Sequence, residues 1–173
     1  GTPRLDQWMV NYLGADDTLL HRAFGRLALI AAVRRARAPG TKFDQIIVLE
    51  GPEGKGKSTV IEILAGEGNS SDQNILASSD REQQEALEGA WLYEIADLTG
   101  IGRADVDRIK AFASRRTDRA RPAFGHYRED RPRKCILFTT TNNETYLQSQ
   151  TGNRRWWPVK CGAVDPEGIQ AAR

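Results

Sequence analysis

The stretch Gln45-Ile46-Ile47-Val48-Leu49-Glu50-Gly51-Pro52-Glu53-Gly54-Lys55-Gly56-Lys57-Ser58-Thr59-Val60-Ile61-Glu62-Ile63-Leu64-Ala65 decides how the rest of the chain is read. Its opening apolar run predicts a short buried strand, and Ser58 to Ala65 predicts a helix closed by Gly66. Between them, Gly51–Ser58 matches G-x-x-x-x-G-K-[ST]. Strand, glycine loop and helix form the context in which this pattern cradles phosphate. Its glycines let successive backbone N–H groups converge on phosphate oxygens, and a helix start favours an anion. The contact set is Gly51, Pro52, Glu53, Gly54, Lys55, Gly56, Lys57, Ser58 and Thr59. Lys57 is placed to reach the β and γ phosphates of ATP, and the Ser58 hydroxyl to hold Mg²⁺.

A chain of 173 residues has room for one domain with a sizeable core. Hydrophobic residues at 39% and charged residues at 28% are ordinary for a globular protein. A net charge of +2 does not by itself demand nucleic acid. The distribution says more: Arg115–Lys134 carries eight Lys/Arg against Asp118, Glu129 and Asp130, a local surplus suited to a phosphate backbone. Cys135 and Cys161 lack metal-ligand spacing and read as buried, reduced thiols of a cytoplasmic protein. No apolar run approaches membrane-spanning length, and no signal peptide is visible in the sequence. Both ends suggest a piece excised from a longer protein.

Taken in order, residues 4–13 predict a short helix closed by Gly14. Asp16 or Asp17 is expected to cap a second helix running to about Ala36, with Leu20, Phe24, Leu27, Ala28 and Ala31 on one stripe. Arg34, Arg35 and Arg37 at its end suit the helix dipole. Together residues 1–40 form an N-terminal helical segment, and 41–173 the ATPase core. Further strands are expected at 75–77, 90–95, 134–140 and 155–160, and helices from Asp80 to Leu87 and over 104–115. Phe124–Asp130 reads as a hairpin or loop. Strands separated by helices predict an α/β fold: a mostly parallel sheet covered on both faces, binding ligands at the strands' carboxyl ends.

That rule selects the polar residues that matter. Glu94 ends one strand and Asp97 follows at i+3; two such acids can divide metal binding and activation of the attacking water, with Glu94 on the metal side. Asn142, after Thr140-Thr141, can hydrogen-bond the γ-phosphate or that water. Arg154 and Arg155 precede the last strand. A guanidinium supplied by a neighbouring subunit can stabilise transition-state charge, and one of the pair can instead bind an acid in its own subunit. Of Trp156 and Trp157, alternating on a strand, one is expected in the core and the other at an interface.

Several stretches share a family resemblance: Gly89-x-Trp91-Leu92-x-Glu94-Ile95-Ala96-Asp97-Leu98, Ile109-Lys110-Ala111-Phe112, Asp118, Arg121-Pro122, Arg133, Thr140-Thr141-Asn142 and Thr151-Gly152-Asn153-Arg154-Arg155-Trp156-Trp157-Pro158-Val159. Together they resemble the virulence-associated protein E family, P-loop proteins of phages and genomic islands similar to superfamily 3 helicases and phage primase–helicases. The resemblance implies an AAA+-like core, assembly into a ring, and a role in replicating mobile DNA. It also implies Arg154 or Arg155 as an arginine finger and Asn142 as a sensor. Single-stranded or replication-fork DNA is expected on Lys110, Arg115, Arg116, Arg119, Tyr127 and Arg128. Asp97 stands where the family usually has Glu, Phe124 where it has Tyr, and Ser149/Gln150 where an Asp is common.

The expectation is therefore a Mg²⁺-dependent ATPase domain of an oligomeric, helicase-like DNA replication protein. Two rivals are a nucleotide-gated module that interferes with phage replication or packaging, and a P-loop small-molecule kinase.

Overall fold

The structure, a computed structural model, describes residues 4–74, 76, 78–95, 98, 101–122, 125–142 and 153–172. An inner strand of its sheet is β1 (Ile46–Glu50), whose first four residues are fully buried. A strand apolar on both faces needs cover on both, which a parallel sheet between helices provides. β1 lies between β6 (Ile136–Thr141) and β7 (Trp156–Lys160), and the order is β2-β3-β6-β1-β7, with every pairing parallel. β3 is Leu92–Ile95, and the edge strand β2 is Ser70–Ser71. The expected edge strand at 75–77 falls partly outside the described residues.

Strand alternation sends side chains to two cores. Ile47, Leu49, Leu92, Ile136, Phe138 and Val159 meet helices α1 (Trp8–Leu13), α2 (Leu19–Arg37), α3 (Lys57–Ala65) and α6 (Pro166–Ala172). On the other face Ile46, Val48, Tyr93, Ile95 and Leu137 meet α4 (Asp80–Ala86) and α5 (Arg103–Ser114). β4 (Thr117–Ala120) and β5 (Glu129–Pro132) form a separate antiparallel hairpin beside α4. No helix among the described residues is long and apolar enough to cross a membrane.

Several details differ from expectation. α2 is capped by Thr18, which accepts from His21 N, rather than by Asp16 or Asp17; Asp17 instead pairs with Arg22. α4 is capped by Ser79 in a capping box with Glu82, so Asp80 is its first residue and not its cap. Leu20 and Leu27 are exposed, while Gly25, Ala28, Ala32 and Arg35 form the buried face of α2. A Cβ on Gly25 would come within 2.9 Å of the Trp8 indole nitrogen, so α1 and α2 approach too closely for large residues there. Arg35 is buried and donates to Thr41 O at 2.9 Å and Cys135 O at 2.6 Å, tying α2 to the start of β6. Trp156 is buried, and Trp157 stacks on Phe24 with centroids 4.6 Å apart and meets Phe43 edge-on, so both rings pack within one chain.

Candidate functional site

The loop after β1 turns on positive φ at Gly54 (73°) and Gly56 (83°), a conformation that disfavours other residues. Gly56 is also the N-cap of α3. A Cβ there would lie 3.1 Å from Pro166 Cγ, so the start of α6 braces the loop from outside. The N–H of Gly51 donates to Thr141 O at 3.0 Å and that of Cys161 to Glu50 O at 2.8 Å, fixing the loop's first residues to both neighbouring strands.

A cavity of about 340 Å³ opens at this end of the sheet, lined by Glu53 to Thr59 and by Thr140, Thr141 and Asn142. The structure thus brings the glycine loop and Asn142 to one cavity. Lys57 is largely buried and its Nζ donates to Gly51 O and Pro52 O, each at 2.7 Å, so the lysine lies along the inside of its own loop. Glu94, 9% exposed at the end of β3, accepts at Oε1 from Ser58 Oγ (2.8 Å) and from Thr140 Oγ1 (3.0 Å). Burial pushes its carboxyl above the ordinary value, while those two hydroxyls and, on the other side, the charges of Asp72 and Glu62 act as smaller influences. Asp97 lies outside the described residues.

The donor set fits a nucleotide triphosphate with a hard divalent cation. It comprises the backbone N–H groups of a helix start, a lysine folded along the inside of the loop, and a hydroxyl–carboxylate pair. No cluster of three or more His, Cys, Asp or Glu that could hold a metal alone occurs among the described residues. A site sharing its cation with phosphates needs no such cluster.

Arg154 and Arg155 are elsewhere. They sit in a 3₁₀ turn, Asn153–Arg155, feeding the amino end of β7. Trp156 is in register with Ile46, and Lys160 with Glu50. The arginines and the loop are therefore separated by the length of β1, roughly 13 Å along the strand, and no guanidinium of this pair meets the loop within one chain. Arg155 is half-buried and lies 3.5 Å from Asp44, whereas Arg154 is exposed and makes no ion pair among the described residues.

The arginine-rich segment is mostly paired. Arg133 and Asp118 form a buried bidentate pair at 2.9 and 2.5 Å, with the guanidinium 4.2 Å from the Phe112 ring centroid. Arg115 binds Gln83 and Asp80, Arg116 donates to Gly40 O, and Arg121 to Gly125 O. Arg119 grips Asp130 across the hairpin, and Arg131 meets Glu88 and Glu129. Lys110, expected on a DNA-facing surface, is buried with its amine 3.5 Å from Asp107. Tyr127, 85% exposed, and the exposed Arg128 stand beyond the hairpin strands.

Sequence reasoning passed over Thr140. The available signal was strand parity: Leu92 and Glu94 share a face, as do Ile136, Phe138 and Thr140, and both faces look toward α3.

The parallel sheet, the glycine loop after its inner strand β1 and the acid near the end of β3 define a P-loop-type α/β fold. The chain belongs to the family described as the virulence-associated protein E-like domain, whose profile matches residues 1–173. Among solved structures it is similar to the NrS-1 C-terminal region (residues 305–718) at 12% identity and TM-score 0.64, covering 96% of this chain and 42% of that one. A second structure of that region, its A form, matches at 15% identity and TM-score 0.59, covering 92% and 37%. These likenesses concern the fold, and the chain spans less than half of the region it resembles. No curated protein matches the sequence.

Proposed function

We infer that this chain is a Mg²⁺-dependent ATP-binding and ATP-hydrolysing domain of a helicase-like protein that replicates mobile-element DNA. The observation carrying this is the 2.8 Å hydrogen bond from Ser58 Oγ to Glu94 Oε1, which joins the start of α3 to the acid of β3 beside the cavity that Asn142 lines. A hydroxyl donating its proton to a carboxylate keeps its lone pairs for a cation. Bound Mg²⁺ would neutralise charge developing on the phosphoryl oxygens. Lys57 exchanges the Gly51 and Pro52 carbonyls for phosphate oxygens. Glu94, with Asp97, orients the attacking water and accepts its proton, and the Asn142 amide hydrogen-bonds the γ-phosphate. Arg154 enters from a neighbouring copy, because the amino end of β7 faces away from the chain's own loop. That demands an oligomer, for which a ring is the closed arrangement. Tyr127 and Arg128 are the groups best placed to meet single-stranded or fork DNA, the ring stacking on bases and the guanidinium tracking phosphate.

The test is phosphate release by the intact protein, with and without single-stranded DNA, for the wild type, Lys57→Ala, Arg154→Ala and mixtures of the two variants. Each variant alone is expected to be inactive, and the mixture to recover turnover. Wild-type activity in Lys57→Ala would overturn the site. Tight ATP binding by the intact protein without DNA-stimulated turnover would favour a nucleotide-gated module acting against replication or packaging of another phage. The separation of Arg154 from the loop makes that outcome the expected behaviour of an isolated chain.

A further inference from the structure

Three consecutive threonines close β6, but alternation turns Thr139 and Thr141 to the α5 side and Thr140 to the loop side. Glu94 Oε1 receives both hydroxyls, from Ser58 and from Thr140, and Oε2 accepts no hydrogen bond among the described residues. The two donors differ mechanically. Ser58 is the second residue of α3, and its hydroxyl is the one that a bound cation would draw upon. Thr140 belongs to the body of the sheet: it is in register with Leu49, and its carbonyl accepts from Leu98 N at 3.2 Å. A β-branched side chain there is stiff at χ1, so its hydroxyl direction is set by the strand.

We propose that Thr140 is a positioning residue for Glu94: it pins Oε1 from the sheet, so that Oε2 remains available to the cation's water shell when the Ser58 hydroxyl turns to the cation. This rests on the ATP site proposed above and adds a residue to it. A buried carboxylate held only by a hydroxyl that also serves the cation would adopt several orientations, and an acid preorganised by a second, fixed donor does not reorganise when the nucleotide arrives. Thr140 touches neither phosphate nor water in this role. It acts through Glu94.

The test uses the full chain, a fluorescent ATP analogue as probe, and Thr140→Val, which keeps shape and removes the donor, beside Thr140→Ser, which keeps the donor. Affinity is measured in EDTA and in Mg²⁺. Thr140→Val should match the wild type in EDTA and lose about 10- to 100-fold of the gain that Mg²⁺ gives; Thr140→Ser should retain that gain. In a Glu94→Gln background the Val substitution should have no further effect, which a general packing defect would not reproduce. Should Thr140→Val fail to fold, Thr140→Cys, similar in size with only a weak donor, takes its place. A full Mg²⁺ gain in Thr140→Val, or an undiminished effect in the Glu94→Gln background, overturns the role of Thr140 alone. A wild type that takes up no nucleotide overturns the ATP site, and this role with it.

Discussion

The glycine loop and the arginine hairpin handle charge in opposite ways. At the loop, positive potential comes from backbone N–H groups at a helix start and from one lysine bound only to carbonyl oxygens. No acid among the described residues pairs with that amine, and it can transfer to an anion at little electrostatic cost. On the hairpin side Arg133, Arg119, Arg131 and Arg115 already hold carboxylates, and Arg116 and Arg121 hold carbonyls. Charge paired with a carboxylate is neutralised in place, whereas the Lys57 amine, beside a cavity and a helix start, is held by carbonyls alone. Density of arginines is therefore a poor guide to where an anion binds.

The largest effects should separate the two regions by kind. Arg154→Ala is expected to lower turnover of the intact assembly by about 10³-fold or more while nucleotide binding persists. Arg155→Ala should act mainly on thermal stability, since its neighbour is Asp44 of the same chain. Equal losses of turnover from both variants would erase the distinction drawn between the two guanidinia. Next comes Asp118→Ala, which leaves Arg133 buried without its partner and should cost about 3–5 kcal/mol in denaturant unfolding. A loss below about 1 kcal/mol would mean the hairpin is not anchored there.

At the proposed DNA-binding surface, Tyr127→Ala should weaken single-strand binding by about 1–3 kcal/mol, and Arg128→Ala should reduce the salt slope by about one. Arg119→Ala, whose guanidinium is occupied by Asp130, should leave that slope unchanged. If Arg119 proves as important as Arg128, pairing within the hairpin does not decide availability. The smallest effect concerns pH. The Glu94 carboxyl is held above its ordinary value of 4.5, so the folded chain binds that proton more tightly than the unfolded one. Its contribution to stability is full below pH about 4.5 and is lost as pH rises through the folded value. Glu94→Gln, which does not titrate, should melt a few degrees higher than the wild type at neutral pH, and the gap should close on acidification. A gap independent of pH would assign the change to something other than ionisation.

The loop was legible because its physics is local: the strand, the glycines, the lysine and the helix start are contiguous, and the register of β1 merely places them. Glu94 and Asn142 were legible through the rule that ligands lie at strand carboxyl ends. What escaped was pairing across distance. Arg115 finds Asp80 and Arg131 finds Glu88 from another element, and nothing in a run of arginines announces such partners. The Glu94–Thr140 bond joins residues on neighbouring strands, and parity alone hinted at it. The expected stripe of α2 is buried only in part, at Phe24, Ala28 and Ala31, for a steric reason. Helical periodicity was correct, but the close approach to Trp8 selects Gly25 and alanines for the buried side and leaves Leu20 and Leu27 outside.

The two lysines of the loop offer a use for its geometry. Lys55 is exposed, while Lys57, two residues on, is 7% exposed and held by two carbonyls. An amine-reactive acylating reagent should therefore modify Lys55 promptly and Lys57 slowly, and any event that draws the Lys57 amine off its carbonyls into solvent would narrow the gap. The ratio of the two modified peptides in a mass spectrum becomes an internal clock for the opening of the loop, each molecule carrying its own reference two positions away.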